Sequence, residues 1–177
     1  MPFAYYQRLS IRQRRIYDRS DAIQRLTLPE PAALRPLVER LAAALDGENR
    51  AATDAAAQVL AAGIHRQFAV PAVELRVLAA RPSHNWGELH GLYEYGGGRE
   101  RPRITLWMRT AQKRQVVAFR TFLRTLLHEV CHHLDYALLK LPDSFHTEGF
   151  YKRESSLFHQ LMGSAPKPAP ENDDDSR

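Results

Sequence analysis

From Lys113 to about Leu139 the chain carries no glycine or proline, and apolar side chains return at Val116, Phe119, Leu123, Leu126, Leu127, Val130, Leu134 and Leu138. That spacing of three and four predicts one long amphipathic helix. Its other face carries Thr121, Arg124, His128, His132 and Asp135, so one side packs into a core while the other fronts a cleft. Upstream, a helix is predicted from about Ala32 to Leu45, closed by Asp46-Gly47. A second, alanine-rich one runs from about Asn49 to Phe68, with Val59, Leu60, Ile64 and Phe68 turned inward and Pro71 marking its end. His65 on this helix reads as a surface residue.

The period then changes. Val73, Leu75 and Val77 alternate with charged residues, as a half-buried strand does. Gly87 to Tyr95 reads as a second strand and Arg103 to Met108 as a third. Gly96-Gly97-Gly98 between them is a flexible turn; it lacks the Lys-Ser/Thr and the following helix of a phosphate loop. Beyond the break at Leu141-Pro142-Asp143, a last helix is predicted from about Glu148 to Met162, with Phe150, Leu157, Phe158 and Leu161 buried. The predicted class is α+β: N-terminal helices and a sheet of about three strands packed on the long helix, followed by one C-terminal helix.

A chain of 177 residues suits one core with tails. Residues 1–30 read as a basic N-terminal arm of uncertain order, ending at Pro29-Glu30-Pro31, with residues 31–162 as the domain. Residues 163–177, rich in proline, alanine and aspartate, read as a disordered tail. The net charge of +5 rests mainly on arginine, with Arg8, Arg12, Arg14, Arg15, Arg19 and Arg25 near the N-terminus. This arm is the candidate contact for nucleic acid or another acidic surface. A single cysteine, Cys131, excludes an internal disulfide framework and a Cys-rich zinc module. No run approaches a membrane span and no apolar signal segment follows Met1, so a cytoplasmic location without membrane contact is expected.

The candidate chemistry lies in His128-Glu129-Val130-Cys131-His132. At 3.6 residues per turn, histidines at i and i+4 stand one above the other and can converge on one zinc ion. Glu129, turned about 100° from His128, can reach a water beside the metal without ligating it. Catalytic zinc takes three protein ligands and leaves a fourth position open. Candidates for the third are His146, in the return loop, and Glu154, two turns into the last helix. Asp135 is better placed to accept a hydrogen bond from a ligand imidazole, and His133 points elsewhere.

The strand Ile104-Thr105-Leu106-Trp107, then Leu126-Leu127-His128-Glu129-Val130-Cys131-His132, then His146 with Phe150 four residues on, resembles the SprT-like (Spartan-type) zinc metalloprotease domain over residues 50–162. The resemblance implies a small zincin-like domain, Zn²⁺ as cofactor, a protein or peptide substrate, His128, His132 and His146 as metal ligands, and Glu129 as general base. Thr147 stands where that family usually has glycine, and a C-terminal Cys-rich zinc ribbon is missing. The Gly87–Tyr95 strand is the candidate edge for extended substrate, and Tyr136, Tyr151 or Arg153 the candidate donor to a developing oxyanion.

Overall fold

The computed structural model describes residues 2–84, 87–88, 90–96 and 100–163. Helix α2 (Pro31–Asp46) begins on a proline, whose fixed φ and missing N–H suit the first turn. It packs antiparallel to α3 (Arg50–Gln67), which is capped by the Asn49 side chain accepting from the Ala52 N–H at 3.0 Å. Three strands form the main sheet, β1 (Glu74–Ala80), β4 (Gly91–Glu94) and β5 (Arg103–Arg109), in the order β1-β5-β4. β1 runs parallel to β5, pairing Val77 with Leu106, and β4 runs antiparallel to β5, pairing Leu92 with Thr105. The central β5 is buried over five consecutive residues, Ile104 to Met108, whereas β1 alternates over its first half. Burial of successive residues, which point to opposite faces, marks a strand covered on both faces.

Helices α4 (Phe119–Ala137) and α5 (Glu148–Met162) complete the α+β layer expected from the sequence. Leu123, Leu126, Leu127, Val130 and Leu134 of α4 are fully buried among α2, α3, α5 and the sheet. Each such side chain contributes roughly 1.5–3 kcal/mol. The two elements predicted with the firmest periodicity differ in one boundary. α5 has the predicted limits, and its four predicted core residues are buried. α4 begins at Phe119 rather than Lys113, because Val116 bridges to Arg109 and the Val117 N–H donates to the Met108 carbonyl at 2.9 Å. These β-branched residues extend the sheet edge instead of opening a helix.

The expected Gly87–Tyr95 strand divides between two sheets. Gly87–Glu88 (β3) pairs with Ser83–His84 (β2) in a small hairpin, while Gly91–Glu94 joins the main sheet as β4. Gly97 and Gly98 of the predicted turn and residues 164–177 of the predicted tail lie outside the described residues. Gly163, at φ 69°, closes α5 in the left-handed conformation that glycine tolerates.

The N-terminal segment is folded onto the domain instead of standing off as an arm. A 3₁₀ turn (Ala4–Arg8) leads into α1 (Ile11–Ala22), whose first turn is closed by a reciprocal cap between Ser10 and Gln13. Tyr17 is 1 % exposed, packed edge-on against Tyr5 and Tyr6 and beside Phe145. Burial of Ile16 and Tyr17 holds the segment down, and Arg12, Arg15 and Arg19 share its exposed face. His65, expected at the surface, is 1 % exposed with its ring against His133.

Candidate metal centre

His128 and His132 project from α4, one turn apart, and the return loop brings His146 to them. His146 Nε2 lies 3.0 Å from Nε2 of His128 and 3.0 Å from Nε2 of His132. Three nitrogens this close fit ligands of one small cation, for which tetrahedral bonds of about 2.0–2.1 Å imply separations of roughly 3.3 Å. His128, His132 and His146 are thus near enough to one another to hold a metal ion.

The far sides of the rings show which way the lone pairs point. His128 Nδ1 is 3.1 Å from Glu154 Oε2, a carboxylate oxygen that can only accept. His132 Nδ1 is 2.7 Å from Ser144 Oγ, which donates its own proton to Asp135 Oδ2 at 2.8 Å. Both rings therefore carry their proton on Nδ1 and turn an unshared pair inward on Nε2, the tautomer that metal ligation needs. Burial pushes the His132 pKa down to about 3, assisted by His128 and His146. His146 is lowered too, by burial first and then by His128. Neutral imidazoles are the donor form.

Asp135 is not on the open face of α4, contrary to expectation. It is fully buried, bonded to Arg153 Nη2 at 2.8 Å with neither side chain exposed. Burial pushes its carboxyl above the ordinary range, against the pull of Arg153 and Ser144. A buried guanidinium whose other partners are neutral requires this anion, so the pair stays ionised. Arg153 also donates to the carbonyls of Ser20 and Ile23 at 2.6 and 2.5 Å, at the C-terminal end of α1. The arginine thus ties the C-terminal end of α1, where the Ile23 N–H also donates to the Ser20 carbonyl at 3.3 Å, to Asp135. Asp135 thus reaches His132 through Ser144 rather than directly, and Arg153 is unavailable to an oxyanion.

Glu154, the alternative third ligand, stands behind His128 on the Nδ1 side rather than among the three Nε2 atoms. His133 is buried, its Nε2 2.8 Å from the Pro71 carbonyl and its Nδ1 3.2 Å from the Tyr93 hydroxyl. Thr147 caps α5 just after His146, its hydroxyl accepting from the Phe150 N–H at 2.9 Å. Two further residues hold the loop that carries His146. The Tyr5 hydroxyl donates to the His146 carbonyl at 2.7 Å. The Gly149 N–H donates to Asp21 at 2.8 Å, and any Cβ there would collide with the Asp21 backbone. Neither Ser144 nor Tyr5 carries a motif; the one signal for Ser144 is its place two residues before a candidate histidine.

Glu129 lines the cleft beside the histidines and is almost fully buried. Burial pushes its pKa up to about 7, with Glu154 adding to the rise and His128 and the Tyr93 N–H opposing it. Gly91 of β4 faces this carboxylate so closely that a Cβ would lie 2.8 Å from its Cγ. A side chain at Gly91 would displace the acid, which explains why β4 meets α4 at a glycine. Among the candidate oxyanion donors, Tyr136 lines the cleft and bonds Asp143 at 3.4 Å, while the half-exposed Tyr151 ring lies against His128 and His146.

The structure therefore brings all four predicted site residues to one cleft, and adds Glu154, Ser144 and Asp135 behind them. Compared with protein-family models, with curated proteins and with solved structures, the chain matches none.

Proposed function

We propose that this chain is a zinc-dependent metallopeptidase. The observation that carries the reading is the convergence of three inward-facing imidazole nitrogens beside a carboxyl raised to about 7. His128, His132 and His146 would hold the ion. Zinc bound there supplies Lewis-acid chemistry, polarising a carbonyl oxygen and making water acidic near neutral pH. Glu129 accepts the proton of the attacking water on its carboxylate and delivers it to the departing amine nitrogen. Glu154 and the Ser144–Asp135 pair keep the imidazoles oriented throughout. Beside the site, β4 pairs among the described residues only with β5, so its outer backbone edge can receive an extended peptide as an added strand.

Glu129→Gln tests the mechanism. The amide should leave zinc stoichiometry unchanged and lower peptide turnover by about 10²–10⁴-fold. Undiminished turnover would rule out Glu129 as the base.

A second reading, nucleic-acid association, has its own observation: Arg12, Arg15 and Arg19 form an exposed stripe on α1. It predicts DNA binding that weakens steeply with salt and is lost when the three arginines become glutamine. No helix among the described residues is long and apolar enough to cross a membrane. With Cys131 unpaired and buried, the cytoplasm is the compartment we assign.

A further inference from the structure

The cleft has two unlike ends, and β4 gives it a direction. One end, about 370 Å³, is lined by His90, Arg124, Thr125 and Glu154; the other, about 330 Å³, by Leu92, Tyr93, Tyr95 and Tyr136. Gly91, His128 and Glu129 belong to both and mark the middle. At the aromatic end, Tyr95 is 57 % exposed and its ring lies 4.3 Å from that of Tyr136. Such a half-open aromatic pair can bury a large apolar side chain.

The opposite end holds a guanidinium, Arg124, with donors unspent. The Arg124 guanidinium lies 4.0 Å over the Phe158 ring, which fixes its plane. Its nearest anion, Glu154 Oε1, is 3.6 Å away, beyond hydrogen-bond reach, and among the described residues Arg124 makes no hydrogen bond. Arg120, one turn earlier, lies over the same ring at 5.0 Å. Glu154 is thus shared between Arg124 and His128. An oriented guanidinium with free N–H groups is suited to a second, incoming carboxylate.

β4 runs from Gly91 at the Arg124 end to Glu94 at the aromatic end. Antiparallel pairing is the more stable mode of strand addition, so a peptide added to β4 enters with its N-terminal part beside Tyr95 and its C-terminal part beside Arg124. Resting on the metallopeptidase reading for the position of the scissile bond, we propose that the substrate carries an aromatic or large apolar side chain before that bond and a carboxylate after it. The carboxylate is that of an Asp or Glu side chain.

The test uses zinc-loaded full-length Glu129→Gln protein and fluorescent octapeptides read by polarisation. A peptide with Phe before and Glu after the central bond should bind about ten-fold tighter than its Lys counterpart or the same residues in reversed order. Arg124→Glu should invert the Glu-over-Lys preference, and Arg124→Gln, which adds no repulsion toward Glu154, should abolish it. Equal affinity for the Glu and Lys peptides, or a preference unchanged in both Arg124 variants, overturns the inference. Wild-type protein on the same peptides separates this from the parent reading. Cleavage without preference keeps the peptidase and removes the directional cleft. Selective binding without cleavage does the reverse, and neither binding nor cleavage removes both.

Discussion

Ser144 stands 2.7 Å behind His132, on the ring nitrogen facing away from the other histidines, and hands its own proton to Asp135. The hydroxyl thus transmits the orientation of a buried ion pair to a ring that faces the cleft. Ser144→Ala should weaken zinc binding by about 10–100-fold while leaving the melting temperature of the apo-protein nearly unchanged. Titration against a competing chelator measures this, and an unaltered affinity would show that His132 needs no support from Ser144.

Removing the third histidine should have a different effect from removing the acid behind the first. His146→Ala leaves two donors and should lose zinc in metal analysis of the purified protein. Glu154→Ala should retain one zinc per chain with weakened affinity, because that carboxylate meets His128 only at Nδ1. The reverse outcome would make Glu154 the ligand and move the protein to a His-His-Glu site.

The Asp135–Arg153 pair joins α4, α5 and the end of α1 without any exposure to solvent. Asp135→Asn leaves the guanidinium buried without an anion and should cost about 3–5 kcal/mol in denaturant unfolding. The joint replacement Asp135→Leu with Arg153→Met should cost less than either single change, since no uncompensated charge remains. Equal losses from the single and joint changes would mean that packing, not charge, dominates there.

His65 provides a test of acid stability remote from the metal centre. Its pKa is pushed down to about 3 by burial first and His133 second, and among the described residues neither ring nitrogen has a hydrogen-bond partner. The folded form is thus lowered below the ordinary value of 6.5, so the unfolded chain binds the extra proton between pH 6.5 and 3. Stability attributable to neutral His65 is complete above pH 6.5 and is lost as the pH falls toward 3. His65→Leu, which cannot titrate, should lose less stability than wild type over that window. Unfolding curves at about pH 7.5, 5.5 and 4 with a constant difference between the two proteins would contradict this.

Much of this architecture could be read along the chain because it rests on local periodicity. The helical repeat alone puts His128 above His132 and turns Glu129 aside, and the apolar spacing of residues 148–162 delimits α5. The same spacing could not decide what covers a polar face. Asp135 shares the helical side of the histidines in projection, yet it is buried because α5 brings Arg153 across it. His65 sits on a surface-like stretch of alanines, yet it is buried against His133 of α4. The N-terminal residues look like a solvated basic arm, since Ile16 and Tyr17 are few among arginines. Only folding shows that Tyr5, Asp21 and Ser20 grip the His146 loop and Arg153. Spacing along a helix dictates which groups share a face. Contacts between residues far apart in sequence, such as Tyr5 with His146, depend on how the elements pack, and no local pattern encodes them.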